Sequence, residues 1–437
     1  MSFNRREFIR LSSLTSAYTV LAPRFAFAVG DSKTSTAARA PVTVVVFMRG
    51  AMDGISYLPP IDDPTYFSIR PNIAITSAGS NTPSPKNGTI LANANGIKLK
   101  DGFGLHPSLS EIRKLFENGE ASFFFEAGSP FATRSHFDAQ DWMESGLPQG
   151  NSENTGFLGR VSAKFPPQSA TAGFSTVAVQ NGLPRILKGA PNGLAFADFK
   201  SLKLKGPLTR DGLDGKKDEN LDPAISKLYG QSQDPLFHRA AQSFLQGSTV
   251  LQKAEHLFED EKKELPKGPL AKDLAQISAL IRSDVGVKLA VTEMGGWDTH
   301  VNQGNGEKGS LKDRLTEFDS AIGAFWKSLG DRRDQVCLIA ITEFGRTAAE
   351  NGDRGTDHGH GSTFTVINGH LRPQKIFHQF KSLAKSDLNE GRDLNVHFDY
   401  RQIFAEVLAQ HSKITTPLTD IFPGFSPPAN PLGIFRT

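Results

Sequence analysis

Five short apolar runs, separated by segments with helical periodicity, constrain the fold of this chain more than any other feature of its sequence. The first run, 42–47, consists almost entirely of β-branched residues, and the second, 121–126, contains three consecutive phenylalanines. Continuous apolar runs of this length are typical of strands covered on both faces. The other three runs are 288–292, 335–341 and 363–367. This alternation predicts an α/β/α sandwich, in which helices cover both faces of a mostly parallel central sheet.

Helical segments fall between these runs. Ser108 and Glu111 form a capping-box pattern before a helix that Gly119 ends, and a second helix is predicted from Ser135 to Gly146. Further helices are predicted within 237–285, over 311–329 and over 400–411.

Two stretches have the composition of surface insertions. Residues 76–104 are rich in Ser, Asn, Gly and Pro, and residues 196–235 are rich in Lys, Gly and Asp. We therefore expect one domain over 41–437 that carries these two insertions, with a linker at 29–40.

The first 28 residues have the pattern of an export signal. Arg5 and Arg6 precede a short, mildly apolar stretch, and the small-x-small pattern of 26–28 is a signal-peptidase site. A disordered basic tail would leave both the stretch and the cleavage site unexplained. Paired arginines favour the twin-arginine route, with its translocase as partner and a periplasmic or secreted destination. No membrane anchor is expected, because a spanning helix needs about 20 apolar residues.

The charge balance of the remaining chain excludes one class of partner. Removing residues 1–28 takes four arginines and one glutamate from the 49 basic and 46 acidic residues, which leaves 45 of each. No basic field then remains that would favour nucleic acid. The one cysteine, Cys337, excludes an intramolecular disulfide framework, and its apolar run predicts a buried, inert thiol.

Polar clusters follow the ends of the first four runs, and a fifth precedes the last run. They contain Asp53 after the first run, Arg134, Ser135 and His136 after the second, Asp298 and His300 after the third, Glu343 and Arg346 after the fourth, and Asp357, His358 and His360 in the glycine-rich loop before the fifth. If the strands are parallel, we expect all five clusters at one edge of the sheet, where ligands bind in such folds. Oxygen and imidazole ligands without thiolate suit Zn²⁺, Mn²⁺, Mg²⁺, Ca²⁺ or iron.

Several of these residues also have a purely structural interpretation. Asp53 and the glycine after it are typical of a turn, and Ser135 stands where a helix N-cap belongs. Glu343 and Arg346 carry opposite charges that suit an ion pair. Two histidines and an aspartate within four residues of a glycine-rich loop seldom serve packing, so the loop is the strongest candidate for metal binding.

The same motifs resemble those of a known family. Arg49–Gly54, Ser135–Gln140, Gly295–His300, Glu343–Thr347 and Gly355–Gly361 are similar to the motif series of an exported bacterial family known as domain of unknown function 1501. That family is placed in the alkaline phosphatase and sulfatase superfamily, and its activity is essentially unassigned. The resemblance covers nearly all of the chain after the signal and implies an alkaline-phosphatase-like fold.

The superfamily resemblance implies a two-metal esterase core. By the order of the motifs, one ion would be held by Asp53, Ser135 and Glu343, and the other by Asp298, His300 and either His358 or His360. Ser135 would be the nucleophile, and Arg134 or Arg346 would clamp the anion. Phe344 stands where the superfamily usually has histidine, and Asp298 and His300 are two residues apart instead of four, so a single-metal site stays open. The formylglycine route is excluded, because Cys337 lacks a following x-Pro-x-Arg.

Two functions are consistent with these residues. The first is an exported metal-dependent hydrolase of phosphate or sulfate esters, which acts on a small anionic ester with one or two divalent ions. The alternative is a non-catalytic secreted scaffold that binds metal and keeps the same fold. Ser135 together with Arg134 favours the hydrolase, and the missing histidine after Glu343 favours the scaffold.

Overall fold

The computed structural model describes residues 39–77, 95–147, 153–165, 174–191, 193–202, 251–428 and 430–436. The predicted signal peptide and all but the end of the predicted linker lie outside these ranges. So do residues 78–94 and 203–235 of the two predicted insertions, and residues 237–250 of the predicted helical region. The division of the chain into signal, linker and one domain stays a prediction.

A nine-stranded sheet lies at the centre of the described structure. The strands, in chain order, are β1 (Val42–Met48), β2 (Thr76–Ser77), β3 (Asn95–Lys98), β4 (Gly104–Leu105), β5 (Ala121–Gly128), β6 (Thr176–Val179), β7 (Gly193–Phe196), β8 (Leu289–Met294), β9 (Val336–Ile341), β10 (Ser362–Ile367), β11 (Ile376–Phe377) and β12 (Phe398–Asp399). The spatial order is β11-β5-β10-β9-β1-β8-β6-β7, and β12 also pairs with β5. The strands β2, β3 and β4 form a small separate sheet within the first predicted insertion.

All five predicted runs are strands of the large sheet. They are β1, β5, β8, β9 and β10, and each begins and ends within two residues of its predicted bounds. The strands β1, β5, β9 and β10 are buried along their whole length, and β8 is buried except at Glu293. The sequence did not predict β6, β7, β11 and β12, because two to four residues carry too little periodic signal to separate a strand from a loop.

The direction of β10 decides where the site can form. Strand β1 is parallel to both of its neighbours, β8 and β9, whereas β10 is antiparallel to both of its neighbours, β9 and β5. The start of β10 therefore lies at the edge where β1, β5, β8 and β9 end. A fifth parallel strand would have placed the loop before it at the opposite edge. The sheet is mostly parallel, as predicted, but the antiparallel strand is what brings the loop 355–361 to the other clusters.

Helices cover both faces of the sheet. Alternate residues of β1 face opposite ways: Val44 and Val46 pack into one buried apolar cluster, and Val45 and Phe47 pack into another. The predicted α/β/α sandwich is therefore confirmed. The helices are Gly54–Tyr57, Pro64–Ile69, Ser110–Glu117, His136–Ser145, Phe157–Ser162, Pro269–Arg282, Ser310–Ser328, Tyr400–Glu406, which continues as a π-helix over Val407–His411, and Leu418–Ile421. Residues 251–261 are also helical, and short 3₁₀ helices lie at Arg185–Leu187, Phe199–Leu202, Lys262–Glu264, Gly330–Gln335 and Lys385–Asp387.

Within the described ranges, no helix combines the length and the apolarity that crossing a bilayer demands.

The helix His136–Ser145 begins and ends as its sequence predicts. The hydroxyl of Ser135 accepts a hydrogen bond from the backbone N–H of Asp138 at 3.4 Å, which is the N-cap contact. Gly146 follows the helix in the left-handed region, with φ of 73°, where glycine carries no steric penalty. This helix is thereby fixed at the carboxyl end of β5, with its first turn at the edge of the sheet.

The predicted capping box at Ser108 is wrong. The helix begins at Ser110, and its exposed N–H groups are satisfied by Asp319 from the helix Ser310–Ser328. The Asp319 carboxylate accepts from the backbone N–H groups of Glu111 and Ile112, each at 2.9 Å. Burial raises the pKa of Asp319 to about 6, against the opposing effect of these hydrogen bonds. A partner so distant in sequence leaves no local signal, so the capping pattern nearby was misleading.

Candidate metal centre

Four side chains from three segments meet at the edge of the sheet where β5 and β8 end. The Nε2 atom of His358 lies 3.0 Å from the Nε2 atoms of both His136 and His300. Asp298 completes the group, with Oδ1 at 3.2 Å from His358 Nε2 and 2.9 Å from His300 Nε2, and Oδ2 at 3.5 Å from His136 Nε2. Ligand atoms of His136, Asp298 and His358 all lie within 4.8 Å of one another. We refer to these four residues as the histidine cluster.

The second ring nitrogen of each histidine is held by a hydrogen-bond acceptor. The contacts are His136 Nδ1 to Glu343 Oε1 at 2.8 Å, His300 Nδ1 to Asp357 Oδ1 at 3.2 Å, and His358 Nδ1 to the backbone carbonyl of Arg134 at 2.8 Å. Carboxylate and carbonyl oxygens only accept, so each Nδ1 carries the proton and donates it. In a neutral imidazole this leaves the lone pair on Nε2, which is the atom that points into the cluster.

These lone pairs fit a metal ion. Three Nε2 lone pairs and a carboxylate oxygen repel one another when no cation lies between them. Around a tetrahedral ion with metal–nitrogen bonds of about 2.0–2.1 Å, neighbouring ligand atoms are separated by about 3.3 Å. Five ligand-atom pairs among the four side chains are separated by 2.9–3.5 Å, close to that value, and the group whose ligand atoms all lie within 4.8 Å of one another contains His136, Asp298 and His358 but not His300. Histidines that donate their other N–H to a carboxylate or carbonyl are also typical of metal ligands.

Charge at the cluster is distributed unevenly among its members. The hydrogen bond from His136 to Glu343 raises the pKa of His136, whereas burial lowers the pKa of His358. Burial, the largest single effect, acts to raise the pKa of Asp298, but the hydrogen bond and charge of Arg346 together with His300 and His358 outweigh it and lower the pKa. The carboxylate of Asp298 therefore stays ionised, as a ligand must be.

Glu343 holds the imidazole of His136 in place by accepting a hydrogen bond from its Nδ1 atom. Its side chain is buried, and Oε1 accepts from the backbone N–H of Gly50 and from Gln140 Nε2, each at 2.8 Å, besides His136. Burial acts to raise the pKa of Glu343, but the hydrogen bonds from His136 and Gln140 outweigh it and lower the pKa. Gly50 has φ of 117°, and a Cβ there would lie 2.8 Å from the backbone nitrogen of Asp298. Only glycine fits this position, which explains the first motif.

Arg346 holds Asp298 instead of facing a substrate. Its buried guanidinium donates from Nη1 to Asp298 Oδ1 at 2.5 Å and from Nε to Thr356 Oγ1 at 3.0 Å. Arg134 is likewise engaged, because Nη2 lies 2.6 Å from Glu390 and 3.3 Å from Asp393. Neither of the two predicted anion clamps has an unpaired guanidinium.

Asp53 lies in a separate buried ion pair. Both of its carboxylate oxygens contact the guanidinium of Arg70, at 2.6 Å and 3.1 Å, and the exposure of both side chains is 0%. Asp53 Oδ2 also accepts from Gln303 Nε2 at 2.6 Å, and Oδ1 accepts from the backbone N–H of Ile55 at 3.2 Å. Burial acts to raise the pKa of Asp53, but Arg70 outweighs it and lowers the pKa. These partners occupy the carboxylate, so we leave Asp53 out of the metal ligands.

The structure thus separates the predicted site residues into groups. Asp298, His300 and His358 meet in the cluster, Glu343 and Asp357 hold its histidines, and Ser135 caps a helix. His360 is half-buried, with a pKa that burial lowers, and it is not among the residues whose ligand atoms converge.

His136 is the member of the histidine cluster for which the sequence predicted a place in the polar group after the second run but no role. His136 directly follows Ser135 and stands four residues before Gln140. The side chains of His136 and Gln140 therefore lie on one face of the helix. Both of them contact Glu343 Oε1. The spacing was therefore a usable signal, although it needed the partner from β9 to be recognised.

One known protein family matches most of the chain. Residues 40–422 match the family described as "Protein of unknown function (DUF1501)". No curated protein matches the sequence.

Solved structures give only weak similarity. One neighbour is an alkaline phosphatase superfamily protein from Vibrio parahaemolyticus, at 11% identity and a TM-score of 0.31, with 78% of this chain aligned to 63% of that protein's length. The PsFucS1 sulfatase from Pseudoalteromonas sp. has 11% identity and a TM-score of 0.35, with 97% and 74% covered. The C-terminal periplasmic domain of EcEptC from Escherichia coli, in a complex with Zn, has 8% identity and a TM-score of 0.31, with 79% and 77% covered. These values transfer no function to the chain.

Proposed function

The chain belongs to the DUF1501 family of proteins of unknown function, and we propose that it is a metal-dependent hydrolase of phosphate or sulfate esters. One observation carries this proposal. The Nε2 atoms of His136 and His300 both lie 3.0 Å from that of His358, next to the carboxylate of Asp298, while each Nδ1 is held by an acceptor. This is a set of donors preorganised for a cation at the edge of the sheet.

The donor set narrows the choice of ion. Imidazole nitrogens with one carboxylate suit Zn²⁺, Mn²⁺ or iron, whereas Mg²⁺ and Ca²⁺ prefer oxygen ligands. The set also favours one ion over two. Asp53 is engaged by Arg70, and Glu343 holds His136 by its Nδ1, so the second set of ligands that the superfamily resemblance implied is committed elsewhere.

The histidine cluster is open to solvent on one side. The exposure of the Asp298 and His300 side chains is 43% and 40%, so a small ester has access from solvent. The buried ring of Phe344 lies 4.9 Å from the His136 ring and 5.2 Å from the His358 ring, and excludes water from the other side. An ion bound there would supply Lewis-acid polarisation of the ester and a lowered pKa for water.

A non-catalytic metal scaffold is the second candidate, and one observation favours it. Both predicted anion clamps are paired with carboxylates, Arg346 with Asp298 and Arg134 with Glu390. Within the described ranges, the hydroxyl of Ser135 contacts the backbone of its own helix as the N-cap. A scaffold would need neither the guanidinium groups of Arg346 and Arg134 nor the Ser135 hydroxyl to be available to a substrate.

Turnover by protein loaded with Zn²⁺, Mn²⁺ or Fe²⁺ separates the two candidates. The hydrolase proposal expects cleavage of at least one aryl phosphate, aryl phosphodiester or aryl sulfate, lost on chelation and restored by metal. Ser135→Ala should keep this activity and cost about 1 kcal/mol of stability, because a cap is lost and no nucleophile. Absence of turnover for all three ester classes with every ion would leave the scaffold.

We also propose that the chain is exported by the twin-arginine pathway to the periplasm or beyond. Arg5 and Arg6 are the feature that distinguishes its signal from a general secretory one. Replacing both with lysine should therefore strand the precursor in the cytoplasm. Cell fractionation measures this, with Arg10→Lys as the matched control that keeps the pair. Normal processing of the Arg5→Lys, Arg6→Lys variant would contradict the route.

A further inference from the structure

The guanidinium groups beside the histidine cluster are already neutralised. Arg346 pairs with Asp298 at 2.5 Å, Arg134 pairs with Glu390 at 2.6 Å, and Arg392 lies 3.3 Å from the buried carboxylate of Asp393. A doubly charged anion gains most where cations are unpaired, because paired ones must first give up their partners. The local charges therefore favour a substrate with a single negative charge.

Two apolar side chains stand out in solvent beside the cluster. In the part of the chain that the structure describes, the large hydrophobic residues that are exposed are Phe137, at 90%, and Val301, at 58%. Phe137 directly follows His136, and Val301 directly follows His300. Both neighbours are members of the histidine cluster, so the two apolar residues adjoin it along the chain, on two different segments. Ligand sites are lined mainly by apolar side chains, so exposed apolar residues next in sequence to cluster members are candidates for contact with a ligand.

Packing within the protein does not account for Phe137. The helix His136–Ser145 buries Ala139 in its first half and Met143, Glu144 and Ser145 in its last turn. Positions 137 and 139 lie about 200° apart around a helix, so Phe137 faces away from the buried Ala139 of the same turn, and it is 90% exposed. Its ring stands at the first turn, where His136 enters the cluster.

We propose that the substrate is a phosphodiester with apolar arms, which Phe137 and Val301 contact on two sides of the histidine cluster. A diester carries one negative charge and has two arms, whereas a monoester carries up to two charges and has one arm. The paired guanidinium groups account for the charge, and the two flanking apolar residues account for the arms. This inference rests on the proposed function of the same site.

Binding of two inert ligands tests the inference without turnover. Diphenylphosphinate has one charge and two aryl arms, and phenylphosphonate, above its second pKa, has two charges and one arm. Calorimetry on protein loaded with Zn²⁺ should give the tighter Kd for diphenylphosphinate. Phe137→Ser and Val301→Ser should each weaken diphenylphosphinate about three- to tenfold, the range expected for losing one aromatic or apolar contact. Phe137→Leu should recover most of the affinity, because it restores an apolar contact.

Several outcomes would overturn the inference. They are a tighter Kd for phenylphosphonate, an unchanged Kd for diphenylphosphinate in both serine variants, and equally tight binding of benzenesulfonate, which would indicate a sulfate ester. Binding of none of the three ligands would overturn it too. Both substituted residues are exposed, so loss of folding does not confuse the result. Because no ligand is hydrolysed, the expected discrimination in a protein that cleaves no ester would support the ligand preference of the site while contradicting the hydrolase proposal on which the substrate assignment rests.

Discussion

Replacing His358 with alanine is expected to weaken metal binding by more than about 100-fold and to abolish any ester hydrolysis. Its Nε2 atom lies 3.0 Å from those of both His136 and His300, so its removal takes away the central donor. Loss of a supporting partner outside the ligand shell typically costs 10–100-fold, and a ligand itself should cost more. Calorimetric titration of metal-free protein with Zn²⁺ measures the effect.

His360→Ala is the matched control, since it removes an imidazole two residues further along the same loop. The sequence made the two histidines equal candidates, but the converging ligand atoms include His358 and not His360. The control should bind metal about as tightly as the unaltered protein. Loss of metal from His360→Ala together with retention by His358→Ala would reverse the assignment.

Arg70→Met is expected to destabilise the fold by about 3–5 kcal/mol, the usual cost of leaving one partner of a buried ion pair alone. Arg70 is fully buried and contacts Asp53 through both terminal nitrogens. It also donates to the backbone carbonyls of Ala348 and Thr347, at 2.7 Å and 2.8 Å, so the loop after β9 loses two contacts as well. Equilibrium unfolding in urea measures the change.

The double variant Arg70→Met, Asp53→Leu is the control, because it removes the stranded charge as well. It should be more stable than Arg70→Met alone. The pH dependence follows from the lowered pKa of Asp53. In the unaltered protein, the stabilisation by this ion pair is present above the usual pKa of aspartate and is lost as the pH falls through the folded-state value. An Arg70→Met variant as stable as the unaltered protein at neutral pH would show that Asp53 has another partner, such as a metal ion.

The alternation of apolar runs and polar clusters was sufficient to predict the sandwich and the edge where the clusters lie. Strands such as β1 and β9 are buried on both faces, so their composition is almost uniformly apolar and their carboxyl ends are easy to locate. The prediction that Asp298 and His300 lie at this edge depended only on these strand ends, whereas the position of His358 there also required the antiparallel direction of β10.

The roles of single residues at that edge could not be predicted in the same way. A carboxylate at a strand end suits a metal ion or an arginine equally well, and only the position of Arg70 decides for Asp53. Glu343 contacts Nδ1 of His136 instead of an ion because the helix after β5 places an imidazole between them. The first outcome depends on a partner 17 residues along the chain, and the second on segments 207 residues apart, and neither contact leaves a periodic trace in the sequence.

The direction of β10 was the other feature that the sequence did not predict. Whether β10 runs parallel or antiparallel depends on how the long connection after β9 crosses the edge of the sheet. The loop at 355–361 packs its backbone against that of 345–347, with Gly359 N donating to Gly345 O at 2.8 Å. A Cβ at Gly345 would lie 1.8 Å from the carbonyl oxygen of Gly361, so this close approach requires glycine. The glycines of the last two motifs thus allow the two backbone segments to pack closely where the chain returns to this edge of the sheet.

The number of metal ions per chain tests the central claim most directly. The protein should be purified from the compartment where it is active and analysed by mass spectrometry for metal and for protein on the same sample. A histidine cluster with one set of donors predicts one ion of zinc, iron or manganese per chain. Two ions per chain would contradict this account and restore Asp53 or Glu343 as ligands, and protein that neither contains nor takes up any of these ions would contradict the metal centre itself.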